Sequence, residues 1–425
     1  MKTNLLTYSI KVCIVILIIV YCVIQGYKGG DFRIYLGAAE LLKEGKNCYN
    51  VWIHLGGDNY CGYSYSPIFA ILLIPFTFLP HPSVQILWLF ANIFFLYRLF
   101  KIMSWYFPLS HFTKKQYRWW VILSVIMILR FVLHNFEMVQ VTIFLLYCCL
   151  EAEYQIRHNK HWLSGLLVSI GVVVKILPII MLPYFIYRKQ FKSAIFSVLG
   201  IVLFSAVPVM IYGLEFSNTL FHDWLNVINF NNPDFSMQQN KHGEGIHSLS
   251  GFIAAYFTDI NKSDISLRRT IVSLKGDNFY LLLNGSKLLL IGLSIYFLKF
   301  PPFIRSKTKM FTMWELAYIF CITPLVFPHQ QKYAFFFMAP ATMYITYFLV
   351  LSYNKTIFSK ITYQIICLLM IVYFVLTTLT SDGVIGNHLN DIAEYYKTIT
   401  IGAFLLLGIL VICNPNRLKT KTPDN

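Results

Sequence analysis

The sequence predicts an all-α integral membrane protein in which residues 1–425 form one polytopic domain of about twelve transmembrane helices. Hydrophobic residues make up 57% of the chain and charged residues only 13%. A single water-facing core cannot bury so many apolar residues, so successive apolar stretches must be solvated by lipid. The formal net charge of +16 comes mainly from Lys and Arg in short loops, which is typical of membrane topology and not of nucleic-acid binding.

Apolar segments suited to membrane spans recur along the chain. They lie near residues 8–25, 82–103, 119–133, 138–152, 162–175, 176–187, 193–212, 280–299, 312–327, 332–351, 362–380 and 397–413. Several are shorter than the roughly 20 residues that a perpendicular crossing needs. We interpret the two on either side of Lys175 as half-helices or tilted segments. The first is interpreted as a retained span, since it lacks a small-residue cleavage site.

Residues 65–80 are apolar but contain Pro75 between Pro67 and Pro80, which favours a re-entrant or surface-lying helix over a span. If they do not cross, the basic loop residues all fall on one face, and the positive-inside rule makes that face the cytoplasm. These residues are Lys114, Lys115, Arg118, Arg157, Lys160, Arg188, Lys189, Lys192, Arg305, Lys307, Lys309, Lys355, Lys360, Arg417, Lys419 and Lys421. We therefore expect a bacterial inner-membrane protein with both termini in the cytoplasm and a site facing the periplasm or exterior.

Two long loops, residues 26–81 and 213–279, are predicted on the outer face, and loops of this length usually build a site. The first is expected to contain juxtamembrane amphipathic helices. The second has a composition suited to substrate binding, and its residues 231–252 to a mobile lid. Cys48 and Cys61 both fall in the first loop, where an oxidising compartment would allow a disulfide between them.

Asp31 follows Gly29 and Gly30 and precedes an amphipathic helical pattern that is predicted to end at Gly45. One interpretation makes Asp31 an N-cap whose carboxylate accepts hydrogen bonds from the first free N–H groups of that helix. The other makes it a general base at the mouth of a lipid-facing cavity, where it takes a proton from an acceptor hydroxyl. The two roles are compatible, and the spacing leaves both open.

Six fragments of the chain occur in an order that is informative as a set. They are DFRIYLGAAELLKEGKNCY with Asp31 and Tyr35, YSYSPIFAILLIPFTFLP with Tyr65, VQVTIFLL with Gln140, GLLVSIGVVVKILPIIMLPYFI with Lys175, HSLSGF with Ser248, and TPLVFPHQQKYAFFFMAP with His329. Together they resemble the family-87 glycosyltransferases of the GT-C class, which include polyprenol-phosphate-mannose-dependent mannosyltransferases. The chain departs from the family at Val139 and Thr142, at Ile246 and His247, and at Gln330, so the resemblance leaves the sugar open.

The resemblance implies a GT-C-type helix bundle and inverting transfer of a sugar, a mannose-like hexose or a related one, from a polyprenyl-phosphate donor. The acceptor would be a glycan or glycolipid outside the cytoplasm. Asp31 would be the catalytic base. The donor phosphate and the substrates would be bound by Lys175, His329, Gln140, His247, Ser248, Tyr35 and Tyr65. The scheme requires no cofactor or structural zinc and allows an optional divalent cation near the phosphate. The expected partners include membrane lipids and no nucleic acid.

Two other functions compete with this one. A glycan polymerase would depend on outer-loop arginines such as Arg268 and Arg269. A flippase or transporter of lipid-linked sugars would show charged residues deep in several helices and internal repeats. Arg130 and Lys175 are almost the only deep charges that the sequence suggests, and its two halves look dissimilar, so a transferase is favoured.

Overall fold

The computed structural model describes residues 2–56, 59–229, 245–259, 265–298, 303–304, 308–354 and 357–415. Within these ranges the chain is nearly all helical, as the composition predicted. The exception is one short β-hairpin in the first long loop.

The N-terminal half of the chain contains the helices that build most of the site. They are α1 Lys2–Lys28, α2 Phe32–Lys43, α3 Pro67–Leu73, α4 His81–Trp105, α5 Lys114–Glu137, α6 Thr142–Arg157, α7 His161–Val174, α8 Met181–Tyr187, α9 Phe191–Tyr212 and α10 Leu214–Val227. Short 3-10 segments cover Ile74–Phe78, Leu109–His111 and Leu177–Ile180. The hairpin strands, β1 Trp52–Gly56 and β2 Asn59–Gly62, are antiparallel and lie between α2 and α3.

The C-terminal half closes the bundle. Its helices are α11 Leu249–Phe257, α12 Asp277–Leu298, α13 Lys309–Val326, α14 Ala339–Asn354, α15 Lys360–Phe374, α16 Asp382–Ile385, α17 Asn387–Tyr395 and α18 Thr398–Ile412. A 3-10 segment, Lys332–Met338, leads directly into α14, and a π-helical segment, Val375–Leu379, continues α15.

Seven helices in the described ranges are long and apolar enough to cross a membrane. They are α4, α5, α9, α12, α13, the continuous helix Lys332–Tyr353 and the continuous helix Lys360–Leu379. Two bent pairs, α1 with α2 and α17 with α18, bring the number to nine if each pair is one span. The predicted count of about twelve is not reached there, because the segments around Lys175 form short helices and residues 138–152 become the 16-residue α6. Residues 65–80 also form only a short apolar helix, Pro67–Phe78.

The bundle has a buried centre and a lipid-facing periphery. Most of the helix Lys332–Tyr353 is buried, whereas α9 and α12 expose large apolar side chains such as Met210 and Leu288. Apolar surface of this extent needs lipid around it. The protein is therefore an integral membrane protein.

Close packing of α7 on α9 fixes the part of the bundle that leads to Lys175. A Cβ atom on Gly165 would lie 2.6 Å from the backbone of Phe196, and one on Gly200 would lie 2.7 Å from the Cβ atom of Ser169. Small residues at such positions let two helices approach closely within a membrane. The pairing holds the end of α7 in place.

The expectation that Arg130 and Lys175 are almost the only deep charges is wrong. Glu151 is buried and accepts two hydrogen bonds from Arg98, at 2.7 and 2.8 Å, and Glu315 is buried against Arg188. Each of these pairs joins residues that are distant in sequence. Linear hydropathy does not reveal such partners, and pairing is what makes burial of these groups tolerable.

Candidate functional site

A cavity of about 780 Å³ opens where several helices end at the same end of the bundle. The break between α1 and α2, the end of α7 and the segment after α13 all contribute to its wall. Of the predicted site residues, Asp31, Tyr35, Tyr65, Lys175 and His329 line it. Residues that are up to 298 positions apart in the chain, from Asp31 to His329, thus surround one space.

The glycine pair before Asp31 brings the backbone of the α1–α2 break against the end of α5. Gly29 and Gly30 have φ values of 88° and 47°, which residues with a Cβ atom rarely adopt. A Cβ atom on Gly30 would lie 2.6 Å from the carbonyl oxygen of Met138. That same oxygen accepts a hydrogen bond from the Asp31 N–H at 3.0 Å. The two glycines therefore determine where Asp31 sits.

The capping interpretation of Asp31 is wrong. Its side chain makes no capping hydrogen bond to α2, and its backbone is already helical, with φ −66° and ψ −17°. Instead, the carboxylate accepts a hydrogen bond from Nε2 of Gln140. The side chain is directed toward the cavity and leaves the helix N-terminus uncapped.

Gln140 connects Asp31 to a pair of tyrosines. Its Oε1 atom lies 3.0 Å from the Tyr35 hydroxyl and 3.2 Å from the Tyr65 hydroxyl, and these two hydroxyls are 2.8 Å apart. The Gln140 backbone carbonyl accepts hydrogen bonds from Trp88 at 3.0 Å and Asn92 at 3.2 Å. Gln140 is fully buried behind the cavity wall, so it orients Asp31 and does not line the cavity itself.

Lys175 faces the cavity because α7 ends one residue before it. Its backbone is extended, with φ −152° and ψ 135°, and Pro178 follows in a 3-10 turn. The ammonium lies 3.3 Å from the Tyr65 hydroxyl and over two rings, 4.8 Å from the centroid of Tyr65 and 5.2 Å from that of Tyr333. Cation–π contacts of this kind hold a lysine in place without neutralising its charge.

The electrostatics of the cavity favour a carboxyl group that exchanges protons near neutral pH. Asp31 lies in the break between α1 and α2, outside both helices. Burial raises its pKa to about 6, while the Lys175 charge and the Gln140 hydrogen bond oppose the increase. A carboxyl with a pKa close to the working pH is suited to general-base catalysis.

His329 lies on the segment that follows α13, between Pro328 and Gln330. It lines the cavity and has a positive φ of 53°. Non-glycine residues adopt this conformation at a cost, and such residues are common at functional sites. The structure therefore places an imidazole in the same cavity as Asp31 and Lys175.

His247 and Ser248 were predicted to contact substrate, but neither is among the described residues that line the cavity. Ser248 is the N-cap of α11 and accepts a hydrogen bond from Gly251 N at 3.4 Å. His247 is fully buried, and its backbone N–H donates a hydrogen bond to the Gln330 carbonyl at 2.8 Å. His247 therefore supports the segment that carries His329 and Gln330.

The predicted disulfide is absent, because Cys48 and Cys61 are free thiols. Cys61 is paired with Ile53 in the hairpin and borders the cavity. Cys48 is completely buried and does not line the cavity. The hairpin therefore keeps its shape through strand pairing and not through a covalent link between these residues.

Several cavity residues were missed by the sequence reasoning. Tyr333 holds Lys175, and Trp52 and Tyr60 lie on the hairpin. The sequence GGDN at residues 56–59 is a turn signal that indicates a hairpin. The second long loop contributes Trp224 and Val227 on α10 and Ile228 directly after it. Residues 230–244, and with them most of the predicted lid at 231–252, lie outside the described ranges.

Metal ligands are not assembled in the part of the chain that the structure describes. No group of three or more His, Cys, Asp or Glu side chains there could hold a metal ion. Among the described lining residues, the charges that face the cavity come from Asp31 and Lys175, with His329 beside them.

Comparison with known proteins adds an independent observation. Residues 63–258 match glycosyltransferase family 87, which confirms the resemblance seen in the sequence fragments. This range contains Tyr65, Gln140 and Lys175, whereas Asp31 and His329 lie outside it. No solved structure matches the chain.

Two curated proteins are similar to part of the chain. An alpha-(1->3)-arabinofuranosyltransferase of Corynebacterium glutamicum is 26% identical over 188 residues, which cover 43% of this chain and 43% of that protein. A polyprenol-phosphate-mannose-dependent alpha-(1-2)-phosphatidylinositol pentamannoside mannosyltransferase of Mycobacterium tuberculosis is 28% identical over 190 residues, which cover 44% of this chain and 42% of that protein. The chain thus spans less than half the length of each of these relatives.

Proposed function

We propose, from the match of residues 63–258 to glycosyltransferase family 87 and from the cavity that surrounds Asp31, that this protein is a membrane glycosyltransferase. It moves a sugar, a mannose-like hexose or a related one, from a polyprenyl-phosphate donor to a glycan or glycolipid acceptor. Dependence on a lipid-phosphate donor is suggested by the name of the mycobacterial relative. The observation that carries the proposal is the position of the Asp31 carboxylate opposite a fixed cation in one cavity.

In the proposed reaction Asp31 acts as the general base. Its carboxylate takes the proton of an acceptor hydroxyl while that oxygen attacks the anomeric carbon of the donor sugar. The bond between the anomeric carbon and the phosphate oxygen breaks on the opposite side, so the configuration inverts. The products are the glycosylated acceptor, a lipid phosphate and a protonated Asp31.

Lys175 and His329 complement this step by stabilising the leaving phosphate. Charge builds up on the phosphate oxygen as the glycosidic bond breaks, and a fixed donor lowers the energy of that state. Lys175 is held by two aromatic rings and the Tyr65 hydroxyl, so little reorganisation is needed. With a cation already in place, we expect transfer to continue when divalent ions are removed with EDTA.

The two ends of the bundle support an outward-facing site. At the end away from the cavity, Lys309 at the start of α13 stacks on Trp105, 3.5 Å from the ring centroid, while Arg157 contacts Thr312. Predicted cytoplasmic loops meet there, and α13 runs from that end to the cavity. We propose that the basic end faces the cytoplasm and that the cavity faces the periplasm or exterior.

The proposal is tested by transfer of a radiolabelled sugar from a polyprenyl-phosphate donor by purified protein in lipid nanodiscs. Asp31→Asn keeps the size and the Gln140 contact but removes the basicity, so we expect a loss of about 10²-fold or more in kcat. Glu40→Gln is the matched control, since Glu40 lies on the same α2 and pairs with His81 at 2.8 Å. Full activity of Asp31→Asn would refute the assigned base.

The same assay separates the proposal from a glycan polymerase. Arg269 stacks on Tyr395 of α17, 3.9 Å from the ring centroid, and donates a hydrogen bond to its carbonyl. Among the described residues this is a structural contact between a loop and a helix. Arg269→Ala is therefore expected to keep transfer activity. If Arg269→Ala lost transfer activity while Asp31→Asn kept it, the polymerase would be favoured.

A further inference from the structure

We propose that Trp52, Tyr60, Trp224 and Gln330 form the subsite for a sugar ring of the acceptor. The proposal rests on the glycosyltransferase function above and specifies which chemical group of the acceptor is recognised. All four residues line the same cavity as Asp31. Two of them offer aromatic faces, and two offer buried polar groups.

The hairpin presents an aromatic face to its surroundings. Trp52 pairs with Gly62, and His54 pairs with Tyr60. Because side chains alternate along a strand, Trp52, His54 and Tyr60 lie on one face of the hairpin. Trp52 is 72% exposed and Tyr60 is 57% exposed. Gly62 has no side chain, so the position opposite Trp52 is open.

The hairpin is fixed on its other face, so the aromatic rings are held in place. Ile53 points away from Trp52 and packs on α2, where a Cβ atom on Gly37 would lie 2.6 Å from Cγ2 of Ile53. Rigid aromatic side chains provide contact area at a small cost in conformational entropy. The C–H groups on one face of a pyranose or furanose ring pack well on such a surface, since the face of an aromatic ring carries partial negative charge.

Two polar atoms in the cavity indicate a ligand with hydroxyl groups. Nε1 of Trp224 and Oε1 of Gln330 are buried and have no hydrogen-bond partner within the described chain. Buried polar groups are normally paired, so an unpaired donor and an unpaired acceptor in one cavity call for a ligand that supplies both. A sugar hydroxyl donates and accepts, whereas an ionised phosphate only accepts and an acyl chain does neither.

The position of the hairpin assigns the sugar to the acceptor and not to the donor. The donor is held by a lipid phosphate near Lys175, whereas Trp52 and Tyr60 are the strongly exposed aromatic residues of the lining. An acceptor that enters over these rings can present one hydroxyl to Asp31 while its ring rests on the hairpin. Pockets that fix orientation in this way combine an apolar surface with few polar contacts.

The test uses octyl α-mannoside and octyl α-arabinofuranoside as acceptors with a polyprenyl-phosphate-mannose donor, and compares the KM for each substrate. Trp52→Ala is expected to raise the acceptor KM about tenfold or more while the donor KM stays unchanged. Trp52→Phe should restore much of the affinity. Trp224→Phe, which keeps a ring but removes the N–H, should raise the acceptor KM by a smaller factor. Trp162→Ala is the control, since Trp162 is 58% exposed near the start of α7, outside this cavity.

Binding is measured separately by saturation-transfer NMR with soluble α-1,2-mannobiose and wild-type protein in nanodiscs. Saturation of the sugar C–H protons, lost in Trp52→Ala, is the expected result. An unchanged acceptor KM in Trp52→Ala, or no saturation of mannobiose by wild type, would overturn the sugar subsite and leave these rings as anchors in the lipid headgroup region. Slow release of mannose from the donor to water, measured without acceptor, reports on the donor half of the site. If the wild-type protein released no mannose from the donor, the result would instead count against the proposed transferase.

Discussion

The side-chain amide of Gln140 acts as a hydrogen-bond donor toward Asp31 and as an acceptor toward two tyrosine hydroxyls. Its nitrogen donates to Asp31, while its oxygen lies within 3.2 Å of the hydroxyls of Tyr35 and Tyr65. A donor directed at the carboxylate favours the ionised form of Asp31 and keeps one oxygen as an acceptor. The amide therefore helps to maintain the state in which Asp31 can take up a proton.

The transfer rate should depend on pH through Asp31. Burial raises the pKa of this carboxyl to about 6. A base must be ionised to act, so activity should fall roughly tenfold for each pH unit below this pKa. The measurement is kcat at saturating donor and acceptor between pH 4.5 and 8. A rate that stayed constant down to pH 4.5 would contradict a base with this pKa.

Replacement of Lys175 should affect both the leaving phosphate and the base. Lys175→Met removes the cation, so kcat should fall by at least about 10²-fold. The positive charge of Lys175 also lowers the pKa of Asp31, and without it the acidic limb of the pH profile should move to higher pH. Lys309→Met is the control, because Lys309 also stacks on an aromatic ring but lies at the other end of the bundle. If the acidic limb of Lys175→Met lay at the same pH as that of wild type, the effect of Lys175 on the pKa of Asp31 would be disproved.

At this scale the sequence identified the charged residues of the cavity better than its neutral ones. Asp31, Lys175 and His329 were found because polar side chains are costly beside apolar segments and therefore suggest function. Tyr333 and Trp52 could not be distinguished from the many other aromatic residues of an apolar chain. Their roles depend on contacts between distant segments, as with the ring of Tyr333 against the Lys175 ammonium.

Among the structural elements, the turn between α1 and α2 controls the position of Asp31. Gly30→Ala would introduce a Cβ atom 2.6 Å from the Met138 carbonyl oxygen, at a φ of 47°. The turn would have to shift, so we expect a loss of about 1–3 kcal/mol in stability and a marked loss of transfer.

Gly45→Ala is the matched control for this turn. Gly45 has a φ of 70°, but nothing lies within 4 Å of the position that a Cβ atom would occupy there. The same substitution at this residue should cost only conformational energy and leave transfer intact. The melting temperature and the rate of labelled-sugar transfer are measured for Gly30→Ala and Gly45→Ala. Equal effects of the two substitutions on transfer would show that contact with Met138 is unimportant.

Helix existence was more predictable than helix length. The segment after Tyr65 was expected not to cross the membrane, and it forms a short helix interrupted at Pro75 by a 3-10 turn. The apolar run around Lys175 was correctly divided at the lysine, where the backbone becomes extended. The hairpin was missed because residues 52–62 have little apolar alternation, so its pairing depends on packing against α2.

For the whole molecule, the testable expectation is the orientation in the membrane. Alkaline phosphatase fused after Asn50 should be active, since this residue lines the proposed outer cavity. The same enzyme fused after Asn414 should be inactive, whereas green fluorescent protein fused there should fluoresce. The reverse pattern in bacterial cells would place the cavity in the cytoplasm and exclude a donor presented from outside. The separation of basic loops from polar helix ends was visible in the sequence, because charge bias depends on topology and not on packing.

The short length of α7 has a consequence for where the reaction takes place in the bilayer. Its 14 residues rise about 21 Å even if the helix stands upright, whereas the hydrocarbon layer is about 30 Å thick. If His161 starts at one boundary, Lys175 lies several ångströms short of the other, beneath the plane of the opposite phosphates. The carrier lipid would then sink slightly and would not need to be extracted. Turnover should accordingly respond to acyl-chain length, with thicker membranes demanding a deeper descent of the phosphate.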